Sequence, residues 1–347
     1  MTELQLSPGL ALPLDVAGEA IAILAKRGAG KTHTAAVLVE ELHSAGVQTV
    51  ILDPVGAWWG LRSSADGKKA GLPIAIFGGE HGDVPLEPTA GALVADVAVD
   101  SGQSLILDLS DFASKQQMTR FVVDFAERLY RQKARSRSLL HLVLEEADEF
   151  APQSVRGDVA RMVGAIQAIV RRGRGRGLGV TMITQRSAVL NKDVLEQADV
   201  LIVLRVTGPR DRKAIEGWIE KHADDGADQV LPSLPSLETG EAWVWNPERG
   251  MLERTKIRRR RTFDSSATPK AGERRIEPQK VAPIDLAELG EQIRATAEQQ
   301  KANDGRDVDE IARALGLQVE LEWENGSGVQ LVRGPSVLAG DAVEGVA

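Results

Sequence analysis

The stretch ILAKRGAGKT (residues 23–32) comes close to the phosphate-binding loop pattern G-x-x-x-x-G-K-[ST]. It departs from the pattern at one position, because Ala25 stands where the first glycine is expected. A strand candidate, AIAIL (20–24), lies before the loop, and a helix candidate (30–44) follows it. A glycine-rich turn between a buried strand and a helix predicts a loop whose backbone N–H groups bind phosphate.

The side chains that follow the loop fit the same interpretation. Lys31 is predicted to bridge the β- and γ-phosphates of a nucleotide, and the Thr32 hydroxyl to hold Mg²⁺. We expect Ala25 to be tolerated, because the first glycine makes no side-chain contact with phosphate and alanine is the next smallest residue. The predicted nucleotide-binding residues are Lys26, Arg27, Gly28, Ala29, Gly30, Lys31, Thr32 and His33.

Short apolar runs alternate with longer helical patterns along residues 20–245. This alternation predicts an α/β fold with a mostly parallel sheet and helices on both faces. A late strand pair is expected around a turn at Pro247–Gly250. The predicted strands are 20–24, 49–53, 104–109, 141–145, 180–184 and 200–205, and the predicted helices are 30–44, 116–132, 157–172 and 211–221.

Changes in composition predict the domain boundaries. A short N-terminal segment (1–18) precedes an ATPase-like core (19–255), and a basic linker or arm (256–283) follows it. Residues 284–335 are acidic and predict a small α+β domain, with helices at 284–301 and 307–315 and a hairpin around Asn325-Gly326. Residues 336–347 are expected to be a flexible tail.

The composition also excludes several kinds of protein. The chain has 347 residues and no cysteine, which excludes disulfides, thiolate nucleophiles and cysteine zinc sites. It has no secretory leader pattern and no apolar run near the ~18 residues of a membrane span, so we expect a cytoplasmic protein without membrane contact. The net charge of -8 argues against nucleic-acid binding by the whole surface, but it leaves room for a local basic patch.

Polar residues follow two of the predicted strands. Glu145 and Glu146 come directly after the apolar residues Leu142, Val143 and Leu144, and we assign the Mg²⁺ shell to Glu145 and the attacking water to Glu146. Asp148 and Glu149 fit a solvated acidic cluster better. Gln185 ends the strand VTMIT and is a candidate sensor of the γ-phosphate, with ordinary strand-end polarity as the alternative.

Two short motifs raise a GTPase alternative. DPVG (53–56) matches D-x-x-G, and NKDV (191–194) approaches the guanine-specifying N-K-x-D. The second motif fails because Val194 occupies the aspartate position. A GTPase or a small-molecule kinase is therefore the less favoured interpretation.

The arginines around the sensor strand allow two interpretations. A solvated basic loop is one, and an arginine that reaches a neighbouring subunit's γ-phosphate is the other, with further arginines lining a pore for DNA. The sequence does not choose between them. The candidates before the strand are Arg171, Arg172, Arg174 and Arg176, and those after it are Arg205, Arg210 and Arg212.

Five segments together resemble the HerA/FtsK superfamily, and most closely the HerA-type ATPases, over roughly residues 15–262. They are KRGAGKT, VILDPVGAW, LVLEEADEFAP, RGRGLGVTMITQR and LNKDVLEQADVLIVLRVTGPRD. The resemblance implies a RecA-like P-loop core in a homohexamer, with ATP and Mg²⁺ at subunit interfaces and duplex DNA in a central channel. It also implies a nuclease partner such as NurA, or a defence effector.

Carried over by position, the resemblance assigns roles to single residues. Lys31 and Thr32 bind phosphate and Mg²⁺, Glu145 and Glu146 form the acidic pair, and Gln185 is the sensor. Asp53 is the acidic residue of the D-P-x-G element near the nucleotide. Arg171 and Arg174 match family arginines before the sensor strand, and Arg212 matches a finger position in the FtsK branch.

The sequence departs from the family in two places. Only about twenty residues precede the core, where HerA proteins usually carry a β-barrel, and the common D-E-A-H reads EEAD. The expected function is an ATP-driven, ring-forming DNA motor that supports end processing, a mobile element or defence. The alternative is a P-loop ATPase whose ATP state switches a partner without translocation.

Overall fold

The computed structural model describes residues 3–222 and 227–266, and the helices and strands below are those of this part of the chain. The strands are β1 (Glu3–Ser7), β2 (Leu10–Pro13), β3 (Ala20–Leu24), β4 (Gln48–Asp53), β5 (Ala75–Phe77), β6 (Leu105–Asp108), β7 (Leu140–Leu144), β8 (Leu178–Thr184), β9 (Val200–Val203), β10 (Glu241–Asn246) and β11 (Met251–Lys256). The helices are α1 (Lys31–Ser44), α2 (Gly91–Ser101), α3 (Lys115–Gln132), α4 (Asp158–Arg172), α5 (Lys192–Leu195), α6 (Pro209–His222) and α7 (Ala227–Ser233).

The central sheet has the strand order β11-β10-β9-β3-β8-β7-β4-β6-β5. The strands from β9 to β5 run parallel, and β10 is antiparallel to both of its neighbours. The predicted α/β class with a mostly parallel sheet is therefore confirmed. Parallel strands place their carboxyl ends at one edge, which is where ligands bind in sheets of this kind.

Alternating side chains of the parallel strands belong to two separate apolar cores. In β3, Ala22 and Leu24 lie in the cluster that includes α3 and α4, whereas Ile21 and Ile23 lie in the cluster that includes α1. Successive residues of a strand point to opposite faces, so a sheet covered on both sides needs continuous apolar runs. This requirement explains why every residue of β3 is apolar and buried.

Helices α3 and α4 are amphipathic. Helix α3 begins at a Ser114 cap, whose hydroxyl accepts a hydrogen bond from the Gln117 N–H at 3.2 Å. It buries Phe121, Phe125 and Leu129 against the sheet. Among the helices of the described residues, none is both long enough and apolar enough to cross a membrane.

All six predicted strands and all four predicted helices are present, with ends shifted by at most two residues. The late strand pair also forms, and Pro247–Arg249 makes the turn between β10 and β11. The sequence does not predict β5, α2, α5, α7 or the hairpin of β1 and β2, which occupies the predicted N-terminal segment. The predicted acidic C-terminal domain and flexible tail lie outside the described residues.

The described part of the predicted basic arm lies on the core. Arg258 and Arg261 form ion pairs with Glu40 and Glu41 of α1 at 2.7–2.8 Å, apart from a longer Arg261–Glu40 contact of 3.5 Å. Glu40 is fully buried and also accepts hydrogen bonds from the Arg261 N–H and from the Thr262 N–H and hydroxyl. These arginines are therefore neutralised by α1, and this segment closes over the nucleotide-loop helix.

Substituting Glu40 by alanine is expected to lower the free energy of unfolding by about 3–5 kcal/mol, because it leaves buried donors and an arginine without their acceptor. Urea unfolding measures this loss. Glu216→Ala, an exposed glutamate of α6, is the matched control and should stay within about 0.5 kcal/mol of the parent. An equal effect of both substitutions would contradict the anchoring role of Glu40.

The contacts of Glu40 with Arg258 and Thr262 predict that the stability of the fold depends on pH. Burial acts to raise the pKa of Glu40, but hydrogen bonds from Arg258 and Thr262 outweigh burial and lower this pKa below its ordinary value. A carboxyl group with a lowered folded pKa stabilises the fold above its unfolded pKa, and this stability is lost as the pH falls through the folded pKa. The stability difference between the parent and Glu40→Ala should therefore be full at pH 7 and shrink below about pH 4.5.

Candidate nucleotide-binding site

The glycine-rich loop leaves β3 and turns sharply into α1. Gly28 and Gly30 adopt positive φ angles of 76° and 106°, a region that favours glycine. The Lys26 N–H donates to the Arg205 carbonyl at 2.9 Å, which ties the start of the loop to the segment after β9. The first N–H groups of α1, beginning at Lys31, have no partner within the helix and are available to an anion.

Ala25 occupies the position of the missing glycine without backbone strain. It is 2% exposed and packs in the core beside Ala29 and Ile23. Among the described residues, Glu146 is the only non-glycine residue with positive φ, so the backbone at Ala25 lies in an ordinary region. The position therefore does not require glycine, as expected from the sequence.

The loop lysine lies between the two predicted glutamates. Its Nζ atom is 2.5 Å from Glu145 Oε1 and 2.9 Å from Glu146 Oε1, and the Thr32 hydroxyl is 3.3 Å from Glu145 Oε1. Burial acts to lower the pKa of Lys31, but the two carboxylates outweigh it and raise this pKa above its ordinary value. Residues more than a hundred positions apart thus meet at the carboxyl edge of the sheet.

Glu146 has an unusual backbone conformation, with φ 49° and ψ 56°. A left-handed backbone conformation is uncommon for a residue with a long side chain. Residues in such conformations are often found at functional sites. Gln185, at the end of β8, donates its amide to Glu146 Oε1 at 3.2 Å. Burial raises the pKa of Glu146 despite the opposing charge of Lys31, which brings the carboxyl closer to the range of a general base.

Asp53 holds the loop that follows β4 rather than contacting the site. Its two carboxylate oxygens accept hydrogen bonds from four backbone N–H groups, those of residues 55–58, at 2.7–3.0 Å. The side chain is fully buried, and burial together with the nearby Asp108 raises the pKa of Asp53 to about 7. Asp53 is therefore a positioning residue for the D-P-x-G loop.

The sequence reasoning missed Trp58, which comes five residues after Asp53. Its indole N–H donates to Glu145 Oε2 at 3.1 Å, and the ring is 1% exposed. A tryptophan after D-P-x-G reads as an ordinary core residue, so no local signal indicated this contact.

The prediction that Asp148 belongs to a solvated cluster is wrong. Asp148 is 4% exposed and accepts a 2.6 Å hydrogen bond from the Thr184 hydroxyl. Arg186 lies 3.7 Å from its other oxygen. The short 3₁₀ turn after Glu146 directs Asp148 inward, against the end of β8.

These groups border a cavity of about 930 Å³. Of the predicted residues, Lys26, Ala29 and Asp53 do not line it. The cavity is also lined by Lys256, Ile257 and residues of the segment after them, which were not predicted from the sequence. The predicted residues that do line it are Arg27, Gly28, Gly30, Lys31, Thr32, His33, Glu145, Glu146 and Gln185.

The predicted arginines lie away from this cavity. Arg171 and Arg174 are exposed near the start of β8, at the opposite edge of the sheet from Lys31, and Arg174 is 3.6 Å from Glu19. The seven residues of β8 span about 20 Å between these edges. Arg212 lies in the first turn of α6 and does not line the cavity. Within this chain, the fold does not bring any of the three to the cavity.

The NKDV motif has a structural role. Asn191 caps α5, and its side-chain oxygen accepts hydrogen bonds from the Val194 N–H at 3.3 Å and from the Gln167 amide at 3.2 Å. Asn191 is also buried. Capping accounts for this residue without guanine recognition.

Residues 6–71 match the model of the helicase HerA central domain. The DNA double-strand break repair helicase HerA of Pyrococcus furiosus is 34% identical over 103 residues, which cover 30% of this chain and 17% of that protein. The probable DNA double-strand break repair helicase HerA of Methanocaldococcus jannaschii is 32% identical over 103 residues, covering 30% and 19%. These matches confirm the resemblance to the HerA/FtsK superfamily.

The chain thus spans less than a fifth of these HerA relatives. The bacterial conjugative coupling protein TrwBΔN70 has a similar structure, with a TM-score of 0.54 and 10% identity, covering 76% of this chain and 91% of that one. At this identity the likeness supports the α/β fold alone. The resemblance to HerA proteins therefore rests on the sequence matches.

The loop geometry predicts a larger loss of stability at Gly30 than at Ala25. Gly30→Ala should lower the free energy of unfolding by about 1–3 kcal/mol, because its φ of 106° strains any side chain. Ala25→Gly should cost only about 0.5–1 kcal/mol, from the added freedom of the unfolded chain. Urea unfolding of both variants checks this order, and a gain in stability for Ala25→Gly would show that the position prefers glycine.

Proposed function

We propose that this chain is a Mg²⁺-dependent ATPase that assembles as a ring and moves DNA. The observation that carries the ATPase part is the convergence of Lys31, Glu145, Glu146 and Gln185 at the cavity beside the glycine-rich loop. The DNA part is supported by the similarity to proteins named as DNA double-strand break repair helicases.

The nucleotide phosphates would lie on the backbone N–H groups of residues 28–32, at the start of α1. The Lys31 ammonium would then direct some of its N–H groups away from the two glutamates and toward the β- and γ-phosphates.

The residues at the loop fit a magnesium ion. The Thr32 hydroxyl and Glu145 Oε1 are 3.3 Å apart, and both are the hard oxygen ligands that Mg²⁺ takes. The described residues contain no group of three His, Cys, Asp or Glu that could hold a metal on its own. A site with few protein ligands suits Mg²⁺ bound together with nucleotide phosphates, where the ion would neutralise charge on the transferred phosphoryl group.

Glu146 is the proposed general base. Its carboxylate accepts from Gln185 and contacts Lys31, so both its position and its charge are tied to the γ-phosphate end of the cavity. There it would orient a water molecule and take its proton, while Gln185 contacts the γ-phosphate. Burial raises the pKa of Glu146, which makes its carboxylate a stronger base than that of an exposed glutamate.

The ring is proposed because of the arginines. Arg171 and Arg174 lie at the amino edge of the sheet, so they could act on a triphosphate only at a neighbouring chain's carboxyl edge. Repetition of this head-to-tail contact generates a ring, proposed to be a homohexamer with DNA in its channel. Arg212 is the rival finger from α6. A nuclease or a defence effector is the proposed partner.

Two motor assays test the function as a whole. ATP hydrolysis should rise strongly with linear duplex DNA but not with heparin, a control polyanion, and hydrolysis should displace the third strand of a DNA triplex. A rate of ATP hydrolysis that duplex DNA does not change would contradict the proposed DNA motor. It would favour an ATPase whose ATP state switches a partner. Phosphate transfer to a small acceptor would favour a kinase.

Three substitutions separate the proposed roles in the site. Lys31→Ala should abolish hydrolysis, and wild-type activity in this variant would contradict the site. Glu146→Gln should bind ATP yet lose about 10²–10⁴-fold in turnover number, the range of general base catalysis. If Glu145→Gln alone gave that result, the two glutamates would have exchanged roles. Single-turnover kinetics with labelled ATP measures both binding and hydrolysis.

Mixing inactive variants tests the arginine in trans. Lys31→Ala chains keep their arginines, and Arg171→Ala or Arg174→Ala chains keep their nucleotide site, so a mixture should recover part of the ATPase activity that each lacks alone. Arg172→Ala is the neighbouring control and should be active alone. Absence of recovery, or a monomer by native mass spectrometry with an ATP analogue, would contradict the trans contact.

A further inference from the structure

Both oxygens of the Glu145 carboxylate have defined partners. Oε1 faces Lys31 and the Thr32 hydroxyl, whereas Oε2 accepts the Trp58 indole N–H at 3.1 Å. The terminal torsion of a glutamate is broad, so a carboxylate held at one oxygen alone can rotate. The indole therefore holds one oxygen, so that the other stays directed at the glycine-rich loop.

The contact between the Trp58 indole and the Glu145 carboxylate is buried. Trp58 is 1% exposed and Glu145 is 2% exposed, so bulk water does not reach the contact. A buried carboxylate oxygen that loses its hydrogen bond bears its full desolvation penalty. Loss of the indole N–H would thus favour rotation of the carboxylate toward other donors.

The backbone of Trp58 is as firmly placed as its ring. Asp53 Oδ2 accepts the N–H groups of Ala57 and Trp58 at 2.7 and 2.9 Å. Asp53 ends β4, and the Glu145 N–H donates to the carbonyl of Leu52 on that strand at 3.1 Å. The loop from Asp53 to Trp58 and the glutamate are therefore built on the same pair of strands.

We propose that Trp58 is a positioning residue, which holds the Glu145 carboxylate in the orientation that Mg²⁺-nucleotide binding requires; this role rests on the proposed function of Glu145. Groups that orient a metal ligand typically contribute 10–100-fold to metal affinity or activity. Asp53 contributes indirectly, because it holds the loop that carries Trp58.

The test compares Trp58→Phe with Trp59→Phe. Phenylalanine keeps an aromatic ring but removes the N–H, and the neighbouring Trp59 packs on His81 and Phe263 away from Glu145. Calorimetry with AMPPNP measures affinity in saturating Mg²⁺ and in EDTA. Trp58→Phe should reduce the gain in affinity from Mg²⁺ by about 10–100-fold and leave the affinity in EDTA unchanged. Trp59→Phe should change neither.

Two outcomes of this comparison would overturn the role of Trp58. One is a wild-type Mg²⁺ gain in Trp58→Phe. The other is an equal loss of affinity with and without Mg²⁺, which indicates general damage to the site. The double variant gives a second test. If both residues act through one contact, Trp58→Phe should not change the gain in affinity from Mg²⁺ any further in a Glu145→Gln background.

A measurement on protein with Trp58 intact covers the case in which Trp58→Phe does not fold. In protein labelled with ¹⁵N-tryptophan, an indole N–H resonance should shift in Glu145→Gln, and the same resonance should shift on addition of Mg²⁺-AMPPNP. No such shared shift would overturn the contact. Failure of the proposed function would look different, because wild-type protein would then bind no AMPPNP with or without Mg²⁺.

Discussion

The ion pairs of Lys31 with Glu145 and Glu146 are the contact on which the site depends. They join the turn after β3 to the turn after β7, two strands that flank β8 in the sheet. Two carboxylates face one ammonium here, so the cluster carries excess negative charge in a partly buried place. A triphosphate would be repelled by such a cluster unless a cation lies between them, and this is the physical reason to expect Mg²⁺ with the nucleotide.

Much of the core could be predicted from the sequence because its signals are local. The buried strands β3, β7 and β8 consist mostly of apolar residues, and the polar residues of the site lie in the loops that follow them. The parallel register then fixes which ends meet, since Leu24 pairs with Thr184 and Leu144 with Met182. The position of Ala25 could be judged by the same local reasoning, from size and backbone preference.

The parts that could not be predicted depend on tertiary contacts. From the sequence alone, Trp58 looks like a core residue and Asp148 like a solvated one. Only the fold shows that the Trp58 indole contacts Glu145 and that the Thr184 hydroxyl donates to Asp148. Arg258 and Arg261 read as a basic arm, but buried glutamates on α1 hold them to the core. The hairpin of β1 and β2 buries Leu4, Leu6 and Leu12, yet it is too short to give a strong pattern.

We propose that the cavity at Lys31 binds ATP together with Mg²⁺. Equilibrium dialysis of labelled ATP against the wild-type chain tests it most directly, with and without Mg²⁺. We expect one ATP per chain, tighter binding in Mg²⁺, and displacement by unlabelled ATP. No saturable binding, or binding that Lys31→Ala leaves unchanged, would contradict it.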